Sequence, residues 1–383
     1  MPEPIISLES PRYSPEPIIS LDSPVYSPED PPDDPPRDPS DDPPRDPRPQ
    51  PLETCPASFP GTTLTCFAYV NDAHTVLMRN LQRLVSNPDD PPGFEMKYPG
   101  PQPLSIDSSH FDTIRAGDYV VSPKTDGVRC CMMLCDALDG VHTVSIYDRK
   151  LQQCLGVFIQ HVPRAMYQGG GTLLDGELVV DRLTNKWTFL TFDCVYLCSI
   201  PQFQKPYTER MRVISRCLCM SYQESPDDTL KLDVKAYVPL HEAPMTPEAL
   251  RDDRYLADGF VYMPVDQPII FGHHHTFFKL KTEHSVDFMF QKGFLMIFNA
   301  STKRHVRAGV PESGTPGGYA DGSILECVLV KYDTHPGKRV WRVLGQRHDK
   351  NKCNTLFVME KTLLNMQENL SYAAIRGLKS RTV

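Results

Sequence analysis

The run Lys124-Thr125-Asp126-Gly127-Val128-Arg129 is the stretch of this sequence best equipped for covalent chemistry. A lysine amine attacks an electrophile only when deprotonated, so an enzyme that uses one must lower its pKa by burial and by neighbouring cations. Lys124 leaves an apolar run, Tyr119-Val120-Val121, and precedes an Asp-Gly turn. That order predicts an amine exposed at a pocket floor, with Arg129 beyond the turn to hold a ligand oxygen. By itself the run fits a surface hairpin turn equally well; its company decides. Downstream stand Asp175-Gly176-Glu177, Phe192-Asp193, Asp258-Gly259-Phe260 and Lys279-Leu280-Lys281, each in or beside an apolar run. Carboxylates at Glu177 and Asp258 suit a hard divalent cation or ribose hydroxyls. The Phe192 ring suits stacking on a base. Lys279 and Lys281, two apart on a strand, share one face, as a phosphate clamp requires.

Other clusters carry less. His273, His274 and His275 alternate sides of an extended chain and cannot all ligate one ion, so a loop ahead of the Lys279 strand is expected. Gly169-Gly170-Gly171 lacks a following helix start or a Gly-Lys-Ser/Thr sequence and reads as a link into the Asp175 strand. The 12 cysteines include no Cys-x-x-Cys pair. Cys130, Cys131, Cys135, Cys194, Cys198, Cys217 and Cys219 sit among apolar residues, which predicts buried free thiols and a reducing compartment.

The elements that must position these residues are short. From Tyr98 onward, apolar runs of strand length (YVVSPK, GVRCCMMLC, VHTVSIYDR, TLLDGELVV, WTFLTFDCVYL, GFVYMP, TFFKLK) alternate with turn residues. They predict an antiparallel, strand-rich α+β domain over residues 98–287. A second set (GFLMIFN, SILECVLVKY, RVWRVLGQR) predicts a small OB-fold β-barrel over residues 288–383, with a terminal helix from Leu364. Ahead of both, residues 55–97 read as a helical lead-in and linker: Val76, Leu77, Leu81, Leu84 and Val85 fall near helical spacing, and the breakers of residues 87–92 follow.

In this order the motifs resemble the covalent nucleotidyltransferase superfamily, the polynucleotide ligases and mRNA capping guanylyltransferases. Two segments select the capping branch. Residues 98–105, YPGPQPLS, resemble its Pro-Gly-x-Gln-Pro-Val-Ser segment, and Arg347 to Asn354 resemble its Arg-x-Asp-Lys-x-x-Pro-Asn motif, with Cys353 at the usual proline. The resemblance implies that Lys124 attacks the α-phosphate of GTP, releases pyrophosphate and holds GMP as a phosphoamide. Arg129 and Glu177 would contact the ribose, Phe192 would stack on guanine, and Lys279 and Lys281 would grip the α-phosphate. Glu177 and Asp258 would hold Mg2+ or Mn2+. Arg347, Asp349 and Lys350 would engage the outer phosphates when the barrel closes about a joint near residues 282–287. The acceptor would be 5′-diphosphate RNA. A separate RNA triphosphatase, a cap methyltransferase and the transcription machinery are the further partners it implies, with the nucleus as location, or the cytoplasm for a viral enzyme. An ATP-dependent polynucleotide ligase and a catalytically silent RNA-binding scaffold are the alternative readings.

The sequence has 383 residues and a net charge of −8. Residues 1–54 contain 17 of the 38 prolines and 13 Asp/Glu against 4 Arg, a net of −9, so the remainder stands at +1. This stretch repeats EPIISL(E/D)SP(R/V)YSP at 3–15 and 16–28, and DDPPRDP at 33–39 and 41–47. Such composition buries too little apolar surface to offset the ordering entropy, which predicts a disordered acidic spacer. No apolar run approaches the roughly 18 residues a membrane span needs. Deleting residues 1–54 is expected to leave RNA affinity and turnover at low salt unchanged; a change in either would give the tail a part in substrate handling.

Overall fold

The computed structural model describes residues 54–69, 72–85, 96–136, 141–151, 154–312, 318–348 and 350–379. The acidic tail, the breaker cluster at 87–92 and Asp349 lie outside them. In chain order the strands are β1 (Thr54–Ser58), β2 (Thr65–Tyr69), β3 (Pro101–Ser105), β4 (Tyr119–Thr125), β5 (Val128–Asp136), β6 (His142–Tyr147), β7 (Cys154–Gly156), β8 (Thr172–Asp181), β9 (Lys186–Leu197), β10 (Ile200–Pro201), β11 (Lys231–Val234), β12 (Val238–Pro239), β13 (Ala257–Pro264), β14 (Gly272–Lys281), β15 (Ser285–Gln291), β16 (Phe294–Asn299), β17 (Arg304–Pro311), β18 (Ile324–Lys331) and β19 (Val340–Gln346). The helices are α1 (Asp72–Val85), α2 (Phe111–Ala116), α3 (Tyr207–Ser221), α4 (Leu356–Glu368) and α5 (Tyr372–Gly377).

A large sheet runs β1-β2-β7-β6-β5-β8-β9-β10, with β11 added beside β9. A second sheet runs β12-β4-β13-β14-β3. The strands β15-β16-β17-β19-β18 close into a barrel. Most pairs are antiparallel, as expected, but β11–β9, β14–β3 and β17–β19 are parallel. Two of these come from strands returning after long excursions, α3 before β11 and more than 160 residues between β3 and β14. Such returns have no hairpin to fix an antiparallel direction.

The run Cys130 to Cys135 is apolar without alternation because β5 is covered on both faces. Cys130, Met132 and Leu134 join the core between the two sheets, with Tyr207, Ile214 and Leu218 of α3 and Val261 and Phe277 of the second sheet. Cys131, Met133 and Cys135 face the opposite way, onto Leu77, Leu81 and Val85 of α1. The small thiols fit where sheet and helix approach closely, and all twelve cysteines are free.

Three expectations change. Residues 54–69 form the β1–β2 hairpin, not the start of a helix; the helix occupies only α1, where the helical spacing lies. The outer edge of β7 recruits β2 through Phe67 and Ala68, which overrides the weak local signal. The histidine run belongs to β14, with His273 paired to Gln102, so it is strand and not loop. The C-terminal segment begins at Leu356 rather than Leu364 and is two helices. Thr355 caps α4 by accepting from the Val358 N–H, Asn369 ends it in the left-handed region, and Ser371 caps α5.

α5 does not pack on the barrel. Met359 and Leu363 of α4 complete the barrel core around Trp341 and Phe288, whereas Tyr372 and Ile375 of α5 enter the core on the outer face of the second sheet, beside Phe260 and Tyr262. The Tyr372 hydroxyl donates to the Pro244 carbonyl at 2.7 Å, and Arg376 Nε donates to the Ala243 carbonyl at 2.6 Å. The barrel is therefore tied to the sheets at both ends, before β15 and after α4. Ile375 is fully buried, and Ile375→Ala is expected to cost about 2–5 kcal/mol, read as a fall in the urea midpoint; an unmoved midpoint would show that α5 contributes no packing.

Candidate active site

The chain changes sheets between Lys124 and Val128. β4 belongs to the second sheet and β5 to the large one, so the Asp126-Gly127 step bridges a seam rather than turning a hairpin. A Cβ on Gly127 would come within 2.4 Å of the Leu178 carbonyl oxygen, so only glycine lets the two sheets approach this closely. Lys124, at the end of β4, stands at that seam in a cleft of about 1160 Å3.

Each neighbour of Lys124 arrives by strand register. β13 lies beside β4 with a bulge between Ala257 and Phe260, and from it Asp258 accepts from Lys124 Nζ at 2.7 Å. Its other oxygen lies 3.4 Å from Lys281 Nζ on β14. Lys279, on the same face of β14, is pushed down to about 8, first by burial and then by the Lys281, Lys124 and Arg149 cations. Arg129 pairs with Glu177 across β5–β8. Its guanidinium donates to Asp175 at 3.1 and 2.5 Å, and the Tyr98 hydroxyl donates to the same carboxylate at 2.7 Å. Asp175 is fully buried; burial pushes its carboxyl up, and the Arg129 guanidinium opposes that. Gly100 of the YPGPQP segment covers this pair, and a Cβ there would fall 2.1 Å from an Asp175 oxygen.

Phe192 is the extra residue of a bulge. Asp175 pairs with Asp193 and Gly176 with Thr191, which leaves Phe192 between them without a partner. Such a bulge re-aims a side chain, and here the ring lines the cleft with the Arg129 guanidinium 5.2 Å from its centre. The following residue, Asp193, is buried in a pair with Arg210 of α3 at 2.7 and 2.9 Å, which anchors the bulge.

Lys124, Arg129, Glu177, Phe192, Lys279, Arg347 and Lys350 thus line one cleft, with Gln102 and Pro103 at its edge. Asp258 and Lys281 are joined to it through Lys124. Arg347 and Lys350 come from the barrel side, where both meet Asp287 of β15. Three cationic residues that line the cleft, Arg149, Lys150 and Lys235, were not singled out by sequence. Arg149 follows β6 and lines the cleft. Lys235 follows β11; its Nζ donates to the Thr125 hydroxyl at 2.9 Å, and that hydroxyl in turn donates to Glu177. The only hint of Lys235 is a lysine ending an apolar strand, as Lys124 does, and nothing in the spacing separates it from a surface lysine.

No group of three or more metal-ligating side chains occurs among the described residues. Two carboxylates, Glu177 and Asp258, beside a clamp of lysines match the donor set of Mg2+ held partly by substrate phosphates, not an all-protein cage.

The description "mRNA capping enzyme, catalytic domain" matches residues 61–283, more than half of the chain. The mRNA-capping enzyme subunit alpha of Schizosaccharomyces pombe is 22% identical over 79% of this chain and 83% of its own length. The protein of that name from Neurospora crassa is 27% identical over 57% of this chain, which spans only 59% of that relative. A solved mycobacterial DNA ligase D, complexed with ATP and MES, aligns over 66% of this chain at 12% identity and a TM-score of 0.38.

Burial lowers the Lys235 pKa to about 8, with Glu177 pulling up and Lys124 pushing down. An unfolded lysine stays protonated to about pH 10.4. The unfolded state therefore binds more protons between about pH 8 and 10, and stability rises with pH across that window. Lys235→Met is expected to flatten part of that rise in urea unfolding, leaving the rise of the same sign from Lys279. An unchanged slope would mean that Lys235 is hydrated in the folded protein.

Proposed function

The chain belongs to the mRNA capping enzyme family, and on that premise we propose that it is an mRNA guanylyltransferase, transferring GMP from GTP through a lysyl-GMP intermediate to 5′-diphosphate RNA. The observation that carries this reading is the setting of Lys124 Nζ, 2.7 Å from Asp258 in a cleft that also holds Lys279, Arg149, Arg347 and Lys350.

In the first step the Lys124 nitrogen forms a bond to the α-phosphorus, the bond to the bridging oxygen breaks, and pyrophosphate leaves with the electron pair. Asp258, already hydrogen-bonded to the amine, is placed to accept its proton. Lys279 and Lys281 offset the charge on the α-phosphate, and Arg347 and Lys350 that on the leaving pyrophosphate; phosphoryl transfer depends on such positioning and neutralisation. Glu177 and Asp258 would hold Mg2+ or Mn2+, which would supply further charge neutralisation. Phe192 stacks on the base, and Lys235 stands with its ammonium 5.9 Å from that ring, placed to meet a base oxygen. Arg129, fixed by Asp175, presents its remaining edge to the ribose. In the second step the terminal phosphate oxygen of the RNA attacks the same phosphorus, the P–N bond breaks, and Lys124 recovers its proton.

We read the closed barrel, whose five strands lie in the order first, second, third, fifth, fourth, as an OB-fold. Asp349 acts with Arg347 and Lys350 on the outer phosphates, and motion about residues 282–287 brings them in and out. An RNA triphosphatase activity must supply the diphosphate end. The nucleus is the compartment this role in mRNA processing fits.

The protein incubated with α-labelled GTP and a divalent cation is expected to take up a label that survives alkali and is released by acid, as a phosphoamide is, and that is absent in Lys124→Ala. Labelling by ATP in place of GTP would make the protein a ligase, and labelling by neither would make it a scaffold.

A further inference from the structure

The barrel carries a surface that the chemistry in the cleft does not use. On β16, Leu295 and Ile297 are buried in the barrel core, which turns Phe294, Met296 and Phe298 to the other side, half-buried. Register sets Met296 opposite Arg307 and Phe298 opposite His305 on β17. The Arg307 guanidinium lies over the Phe294 ring at 3.8 Å from its centre. The His305 ring meets Phe298 edge-on with centres 5.4 Å apart. Arg307 is held from behind, where a Cβ on Gly337 would stand 3.3 Å from its Cδ.

Exposed cations frame these planes: Lys303 and Arg304 at the β16–β17 turn, and Lys338 beside Gly337. Among the described residues, no carboxylate pairs with Lys303, Arg304, Arg307 or Lys338. Residues 292–342 hold eight Lys/Arg against four Asp/Glu, a net of +4, in a body whose total outside residues 1–54 is only +1. A patch of unpaired cations interleaved with aromatic and guanidinium planes is what single-stranded nucleic acid requires, and the second and third strands form the face on which OB-type barrels take oligonucleotides.

We propose that this face of β16 and β17 docks the single-stranded RNA that follows the 5′ end, with bases against Phe294, Arg307 and Phe298 and phosphates along Lys303, Arg304 and Lys338. The identity of the ligand as RNA rests on the guanylyltransferase reading; the stacking and charge do not. Stacking tolerates any base, as an enzyme acting on transcripts of differing sequence needs.

The test uses the full chain and a labelled single-stranded RNA of about 16 nucleotides, the upper range for one barrel of this kind. Phe294→Ala and Arg307→Gln are each expected to raise Kd by about tenfold in fluorescence anisotropy. Both should leave lysyl-GMP formation unchanged, which also shows that the variants are folded. KM for a diphosphate-ended RNA of that length should rise in step, while KM for a diphosphate dinucleotide, too short to fill the stacking positions and the cleft together, should not move. Replacing Lys303 and Arg304 by Gln together is expected to reduce the slope of log affinity against log salt by about 1.4. An unchanged Kd in both stacking variants overturns the proposal. An equal loss for the dinucleotide also overturns it, by assigning the effect to the cleft, and so does displacement of the RNA by inorganic polyphosphate as readily as by unlabelled RNA. Failure of the guanylyltransferase reading would look different: the wild-type protein would form no lysyl-GMP, while anisotropy would still decide whether the face binds RNA.

Discussion

The crossing of the chain from one sheet to the other at Asp126-Gly127 is the constraint on which the rest of the cleft depends. A lysine at the end of a strand in a single sheet would stand in solvent. Here β4 of the second sheet ends at Thr125, one residue past Lys124, and β5 of the large sheet begins at Val128, so the amine stands at the seam between the two sheets. The Asp126 N–H is held by the Leu256 carbonyl at 2.8 Å, one residue before β13 begins. Gly127 allows the contact with Leu178, and from there β8 delivers Asp175 and Glu177 while β13 and β14 deliver Asp258, Lys279 and Lys281. Each of these side chains is placed by hydrogen-bond register, which sets position more rigidly than a loop does.

The electrostatics follow from the same geometry. Several lysines and arginines converge on one cleft, and in the absence of phosphates they repel one another. The structure offsets this with carboxylates drawn from the sheets: Asp258 for Lys124 and Lys281, Asp175 for Arg129, Glu177 through Thr125 for Lys235, and Asp287 for Lys350 and Arg347. Burial still lowers Lys235 and Lys279 to about 8.

The barrel is held by two tethers. One is the short connection after Lys281, where the Thr282 N–H and hydroxyl both reach the Asp258 carbonyl at 3.1 Å, next to the Lys124–Asp258 pair. The other is the step from α4 to α5, with Asn369 in the left-handed region. Lys361 and Glu368 of α4 reach Asp107 and Ser108 ahead of α2. The tether beside Asp258 links the barrel to the carboxylate that holds Lys124.

Much of this was legible in the sequence. The strand runs from Tyr119 to Arg347, the buried free thiols of Cys130, Cys131, Cys135 and Cys194 and the placing of Lys124, Arg129, Glu177 and Lys279 in one cleft could be read because type, alternation and turn residues record local chemistry, whereas Cys198 and Cys217, expected to be buried, are half-exposed and Cys219 is exposed. Lys235 and Arg149 could not be found, since a lone lysine or arginine after a strand has the same local signature whether it faces water or a phosphate site. The β1–β2 hairpin, the strand character of His273 to His275 and the docking of α5 were also hidden, because edge pairing and long-range packing outweigh weak local preference. Sequence alone determined which groups are available for lysine-based nucleotidyl transfer. Tertiary structure decided which of them meet, because the change of sheet at Gly127 and the bulge at Phe192 are set by backbone register between strands dozens of residues apart, and no residue encodes that by itself.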